Sequence, residues 1–166
     1  LRSSLACDSQ RRDRARSVIP RANITAWRAQ APWALDEQVE QDLVLSRALS
    51  EMFARPALRD MLAFRGGTAL HKLFFDPPGR YSEDLDLVQV TAGPIKPVLL
   101  EVQEALDGWL GPPRSEQAAD SVKLLYGFET TAQPVRRMRV KIEINTREHF
   151  TVEGFQHVSF AVRNPW

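Results

Sequence analysis

Two runs of alternating apolar and polar residues near the end of the chain constrain its fold more than any other feature. The runs span residues 122–129 and 137–145, and in each of them apolar side chains occupy every second position. This spacing is typical of a β-strand with one face on the core and the other in solvent. A short connection around residues 130–134 joins the two runs, which favours antiparallel neighbours in one sheet.

Length and composition are those of a single ordinary globular domain. The 166 residues are 43% hydrophobic and 26% charged, which is sufficient for one core. The formal net charge is only +1, so total charge gives no argument for binding nucleic acid. A single cysteine, Cys7, excludes an internal disulfide and agrees with a cytoplasmic location. No apolar run approaches the roughly 20 residues that span a bilayer, so we expect no membrane contact.

The remaining patterns predict an α+β domain. Helical spacing predicts helices over residues 36–53, 57–63, 68–75 and 94–110. Alternation predicts two further strands, over residues 80–90 and 158–162, so that four strands and four helices form a mixed β-sheet flanked by helices.

Residues 1–21 differ in composition from the rest of the chain. They contain six arginines and few large apolar residues, and we expect a flexible basic arm. Two interpretations of this arm stay open, a contact to RNA phosphates and a solvated tail. The folded domain is then expected over residues 22–166.

A Gly-Gly-Thr turn and an Asp-x-Asp pair give residues 64–88 most of the chemical information in the chain. Asp84 and Asp86 are two residues apart in a predicted strand, so both carboxylates leave the same face of the sheet. Two such carboxylates repel each other unless a cation screens them, and Mg²⁺ prefers oxygen ligands. Glu143 lies on the polar face of the second alternating run and is well placed to meet them from a neighbouring strand. These three carboxylates form a candidate metal site.

The turn itself predicts an anion-binding site beside these carboxylates. Gly66, Gly67 and Thr68 begin a predicted helix, whose first backbone N–H groups are free to hold a phosphate. Each part has an ordinary alternative: surface strands often carry alternating charges, paired glycines often mark only a tight turn, and Glu143 could pair with a lysine across the sheet. The joint arrangement favours the metal and phosphate site.

The segments FRGGTALHKLFF, RYSEDLDLV and VKIEINTREHF together resemble the AbiEii/AbiGii (MenT-type) nucleotidyltransferase toxins, a branch of the DNA polymerase β-like superfamily. The resemblance implies a nucleotidyltransferase-like fold, a Mg²⁺ or Mn²⁺ cofactor and an NTP substrate. It also implies transfer of a nucleoside monophosphate to an acceptor, with the tRNA acceptor end as the expected recipient. As a member of a phage-defence toxin–antitoxin system of the AbiE type, the protein would have a cognate antitoxin as its partner.

The resemblance also implies roles for individual residues. Asp84 and Asp86 would ligate the metal, and Glu143 would complete the site or activate the attacking hydroxyl. Lys141, on the same strand face as Glu143, would neutralise phosphate charge or hold Glu143 in place. The residues expected to contact the phosphates are Gly66, Gly67, Thr68, Lys72, Arg80 and Ser82. For Lys72 and Lys141, ordinary surface roles remain open.

Toxins of this family continue beyond the sheet into a helical region with a segment rich in lysine and arginine, whereas this sequence stops at Trp166. We therefore expect residues 22–166 to be either the N-terminal part of a longer protein or a minimal or decayed member of the family. In both cases we expect residues 1–166 to retain the metal site but to bind nucleotide weakly. Two other functions remain open. One is a nucleotidyltransferase that modifies a protein or a small molecule, and the other is a catalytically silent binding domain of the same fold.

Overall fold

The structure, a computed structural model, describes residues 19–75, 77, 79–151 and 154–166. Within these residues there are five helices and five strands, which are interspersed along the chain. The helices are α1 (Arg21–Trp27), α2 (Asp36–Ala54), α3 (Pro56–Met61), α4 (Gly66–Leu73) and α5 (Lys96–Leu110). The strands are β1 (Leu62–Arg65), β2 (Asp84–Gln89), β3 (Arg114–Gln117), β4 (Ser121–Glu129) and β5 (Arg137–Asn145). In this part of the chain no helix is long and apolar enough to cross a membrane.

All five strands form one mixed sheet in the order β1-β2-β5-β4-β3. The pairing of β4 with β5 is antiparallel along nine residues of each strand, as the two alternating runs predict. The pairing of β2 with β5 is parallel, whereas β1 and β3 pair antiparallel with β2 and β4. The predicted α+β class with a mixed sheet and flanking helices is confirmed.

One face of the sheet carries the hydrophobic core. Leu85 of β2 and Ile142 of β5 are fully buried, and they pack in the same cluster as Leu43 of α2 and Val102 of α5. Burying a side chain of this size contributes about 1.5–3 kcal/mol, so the core fixes which face of each strand points inward. The residues between these positions therefore leave the sheet on its other face.

The structure differs from the sequence predictions at several boundaries. The strand expected over residues 80–90 forms only from Asp84 to Gln89, and the helix expected over residues 68–75 begins two residues earlier, at Gly66. The strand expected over residues 158–162 does not form. Phe160 and Val162 pack against the core from an irregular segment instead. Strands β1 and β3 were not predicted.

Most of the predicted basic arm, residues 1–18, lies outside the described residues. At its described end, Ile19 is buried, and its carbonyl oxygen accepts a hydrogen bond of 2.9 Å from Oγ1 of Thr131. Arg21 begins α1. Ile19 thus belongs to the hydrophobic core, although it lies within the predicted arm.

Candidate active site

The parallel pairing of β2 with β5 brings the predicted acidic residues together. Asp84 pairs in register with Lys141, and Asp86 pairs in register with Glu143. Leu85, between the two aspartates, is fully buried, so both carboxylates lie on the face opposite the core. The expectation that Glu143 meets the aspartates from a neighbouring strand agrees with this register.

Lys141 bridges two of the carboxylates. Its Nζ lies 2.9 Å from Oδ2 of Asp84 and 3.4 Å from Oε2 of Glu143. The hydrogen bond to Asp84, more than the contact with Glu143, raises the pKa of Lys141. Burial would raise the pKa of Glu143, but hydrogen bonds from Ser121 and Lys141, with the charge of Lys123, outweigh it and lower that pKa. Lys141 and Glu143 are therefore both charged at neutral pH.

Of the three carboxylates, Asp86 is the one without an ion pair in the described part of the chain. In the described part of the chain, no lysine or arginine nitrogen lies within the 4.0 Å that defines an ion pair with it. Partial burial, followed by the negative charge of Asp84, raises the pKa of Asp86. A carboxylate in this position would be stabilised by an additional cation.

Neighbouring side chains leave no room for a Cβ atom at either glycine of the turn. Gly66 has φ +82°, and a Cβ on it would lie 3.1 Å from Cβ of Asp86 and closer still to the Oδ2 atom of that residue. A Cβ on Gly67 would lie 2.6 Å from Nη2 of Arg80. The absence of both side chains lets the N-terminus of α4 approach Asp86 and Arg80 directly, with its first backbone N–H groups free of helical partners.

The hydroxyl groups of the motif connect α4 to β2. Oγ1 of Thr68, a fully buried residue, donates a 2.5 Å hydrogen bond to the carbonyl oxygen of Asp84 and lies 2.6 Å from Oγ of Ser82. Because Thr68 has one hydroxyl hydrogen, Ser82 is the donor in the second contact. Ser82 lies outside β2, in the irregular segment that precedes Asp84. The Thr68 hydroxyl therefore holds α4 against β2.

Lys72 does not join the acidic residues of the sheet. Its Nζ lies 2.7 Å from both carboxylate oxygens of Asp42 on α2, and Nε1 of Trp27 donates a 2.8 Å hydrogen bond to the same carboxylate. Burial would raise the pKa of Asp42, but His71, Lys72 and Trp27 outweigh it and lower that pKa from 3.8 to about 2. The Nε2 atom of His71 is 3.7 Å from Oδ1, so the contacts with Lys72 and Trp27 are the closer ones. This buried ion pair connects α4 to α2.

Arg65 was not predicted as a site residue. It pairs in register with Asp86 and forms an ion pair with Glu148. It also borders an open cavity of about 370 Å³ above the sheet. The residues around this cavity are Arg65, Gly66, Asp86, Leu87, Glu143 and Asn145. The position of Arg65 immediately before the Gly-Gly turn is the signal that could have identified it.

The acidic face fits a divalent metal, although its carboxylates are not gathered around one point. Among the described residues, no three His, Cys, Asp or Glu side chains are grouped closely enough to hold an ion as they stand. The Lys141 ammonium group lies between Asp84 and Glu143 as a stand-in cation. An oxygen-rich set that already holds a positive charge, with Asp86 beside it, matches the ligands that Mg²⁺ prefers.

Comparisons with known proteins support the resemblance. No curated protein sequence matches the chain. Among solved structures, the chain is similar to the nucleotidyltransferase toxin MenT4 from Mycobacterium tuberculosis H37Rv, with 24% identity and a TM-score of 0.52. That match covers 78% of this chain and 44% of MenT4. The chain is also similar to JHP933 from Helicobacter pylori, with 17% identity, a TM-score of 0.50, and coverage of 75% and 50%.

These two structures establish the likeness of the fold, and the chain spans half of their length or less. The sequence match is to a family. Residues 47–165 match the model of the family described as nucleotidyl transferase AbiEii toxin, type IV toxin–antitoxin system. This match covers well over half of the 166 residues and confirms the resemblance found from the sequence motifs. The chain belongs to the AbiEii nucleotidyl transferase toxin family.

Proposed function

We propose that the protein is a Mg²⁺-dependent nucleotidyltransferase toxin, which transfers a nucleoside monophosphate from an NTP to the acceptor end of tRNA. The observation that carries this proposal is the register of β2 and β5, which places Asp84, Asp86 and Glu143 on one face beside the Gly66 turn. Its toxicity would be controlled by a cognate antitoxin in a cytoplasmic phage-defence system. Membership of a toxin–antitoxin family supports this biological role.

In this mechanism Glu143 has two tasks, as a metal ligand and as the proton acceptor, and every other group has one. Asp84, Asp86 and Glu143 would hold Mg²⁺ (or Mn²⁺), which would stabilise the negative charge on the triphosphate and on the leaving pyrophosphate. The backbone N–H groups of Gly67 and Thr68 bind phosphate oxygens at the N-terminus of α4. Arg80, whose guanidinium group lies against Gly67, adds positive charge at that end of the triphosphate.

Glu143 takes the proton in the chemical step. Its carboxylate is ionised at neutral pH and accepts the proton of the attacking acceptor hydroxyl. The hydroxyl oxygen then forms a bond to the α-phosphorus, while the bond from that phosphorus to the bridging oxygen of the β-phosphate breaks. The products are the nucleotidylated acceptor and pyrophosphate, and Glu143 returns the proton to water.

The test is to incubate the protein with total tRNA, Mg²⁺ and each α-labelled NTP in turn. We expect label on the RNA with at least one NTP, and Asp86→Asn should reduce it by about a hundredfold or more, because the site loses a charged ligand. Glu116→Gln on the exposed strand β3 is the matched control, since it also replaces a carboxylate by an amide. This control should leave labelling unchanged.

The same experiment separates the other functions. Label on a protein or a small molecule instead of RNA would replace the proposed acceptor while keeping the reaction. If no labelling occurs and Asp86→Asn inhibits growth as strongly as the unsubstituted protein, the enzymatic proposal is wrong. That result would favour a binding domain that uses the fold without its chemistry.

A further inference from the structure

Lys141 holds the position of a cation within the acidic face. It lies directly across from Asp84 on the parallel strand, and its Nζ contacts Asp84 at 2.9 Å and Glu143 at 3.4 Å. Three quarters of the lysine side chain is shielded from solvent, so this ammonium group is held in place on the sheet. The oxygen atoms that it contacts are the ones that a metal would need.

A metal ion that binds Asp84 and Glu143 therefore has to displace Lys141. The ion and the ammonium group cannot both occupy the space between the same two oxygen atoms, and their charges repel each other. In addition, Lys141 forms no ion pair with Asp86. This agrees with the lack, among the described residues, of a ready-made group of three metal ligands. Binding of the metal alone is thus opposed by a group that belongs to the site.

We propose that Lys141 is a counter-ion switch, which occupies the metal position in the free protein and moves to the NTP phosphates when metal and nucleotide bind together. This inference rests on the proposed function. The incoming triphosphate gives the displaced ammonium group a new anionic partner, so nucleotide and metal favour each other's binding. By linkage this coupling is reciprocal, and the loss of Lys141 changes the two binding equilibria in opposite directions.

A matched control stands on the adjacent strand. Lys123 of β4 pairs in register with Glu143, and its Nζ lies 3.6 Å from Oε1 of that residue. Lys123 has no ion pair with Asp84 among the described residues, and its side chain is 37% exposed, against 25% for Lys141. Replacing Lys123 therefore removes one positive charge beside the same carboxylate without clearing the space between Glu143 and Asp84.

The experiment measures Mn²⁺ binding by electron paramagnetic resonance, in which the signal of free Mn²⁺ is lost when the ion binds. The first measurement uses Mn²⁺ without nucleotide. Lys141→Met should bind Mn²⁺ about tenfold more tightly than the unsubstituted protein, because a competing charge is gone. Lys123→Met should change the affinity by about threefold or less, since exposed charges are screened. Lys141→Arg, which keeps the charge, should resemble the unsubstituted protein. A folding defect in Lys141→Met would lower its Mn²⁺ affinity, so it could not produce the expected gain.

The second measurement is titration of each NTP into protein saturated with Mn²⁺. For the NTP that binds most tightly, Lys141→Met should lower the affinity by about tenfold, opposite in sign to its effect on Mn²⁺ alone. A gain in Mn²⁺ affinity no larger than that of Lys123→Met would overturn the switch, as would unchanged NTP affinity. If the unsubstituted protein binds neither Mn²⁺ nor NTP with Mn²⁺, the proposed function itself fails, and the switch fails with it.

Discussion

Gly66 determines how closely the proposed phosphate-binding turn approaches the acidic strand. With φ +82° it has a conformation that costs other residues about 1–2 kcal/mol, and any Cβ would collide with the Asp86 carboxylate. We expect Gly66→Ala to displace Asp86 or the start of α4 and to reduce nucleotide transfer by about a hundredfold. The protein should lose only about 1–2 kcal/mol of unfolding free energy, measured by urea denaturation.

Gly108→Ala is the control for this substitution. Gly108 lies on the exposed side of α5, and an added Cβ would meet no atom within 4 Å. Alanine is the better helix former, so the control should raise the unfolding free energy by about 0.5–1 kcal/mol and leave transfer unchanged. Full activity in folded Gly66→Ala would show that the close approach of the turn to Asp86 is unnecessary.

Individual side chains also show where the sequence was sufficient and where it was not. The two-residue spacing of Asp84 and Asp86 predicted their common face, because alternation is a local property of a strand. The partner of Lys72 could not be predicted in the same way, because Asp42 is 30 residues away in the chain and meets it only through the packing of α2 on α4. Spacing thus gives the face of a residue, while its partner depends on tertiary structure.

At the scale of elements, the strands that the sequence missed are those without an alternating pattern. Strand β1 has four residues and follows α3 without a breaker, so its segment looks like the continuation of a helix. Strand β3 is exposed at all four positions and so lacks a hydrophobic signal. Both lie at the edges of the sheet, where hydrogen bonding to a longer neighbour decides the conformation.

One buried ion pair, between Lys72 and Asp42, links α4 to α2. The side chain of Asp42 is 3% exposed and that of Lys72 is 10% exposed, so loss of the carboxylate leaves an unpaired ammonium group in the interior. We expect Asp42→Ala to lower the unfolding free energy by about 3–5 kcal/mol in urea denaturation, the range for breaking a buried pair from one side. Nucleotide transfer should fall with it, because α4 carries the proposed phosphate-binding turn.

Glu51→Ala provides the comparison on the same helix. Glu51 pairs with Arg47 one turn earlier, but both side chains are considerably more exposed than those of the buried pair. Ion pairs with this spacing contribute about 0.3–0.5 kcal/mol, so the control should be nearly neutral. Similar losses for the two substitutions would mean that the Asp42–Lys72 pair has no special role in holding α4.

At the scale of the whole molecule, the last described residues contact the first ones. Nδ2 of Asn164 donates to the carbonyl oxygen of Asn23, and Nε2 of Gln30 donates to that of Arg163. Trp166 packs edge-on against Trp109 of α5 with ring centroids 5.3 Å apart. The alternation near residue 160 reflects this packing on the core rather than pairing with a strand. Sequence alternation indicates that one side of a segment is buried, but it cannot distinguish a strand from an irregular segment.

The buried carboxylate of Asp42 also makes the stability of the whole domain depend on pH. Its pKa is about 2 in the folded protein, against 3.8 for an unperturbed aspartate, so the unfolded state binds its proton first as pH falls. The stabilisation is complete above pH 3.8 and is lost toward pH 2, and it amounts to about 2 kcal/mol.

In urea denaturation, the difference in unfolding free energy between the unsubstituted protein and Asp42→Asn should therefore shrink by about 2 kcal/mol between pH 5 and pH 2. Asparagine at this position cannot ionise, so the contributions of titrating groups that do not contact residue 42 cancel in the comparison. A difference that stays constant over this range would show that Asp42 is not held as a carboxylate by Lys72 in the folded state.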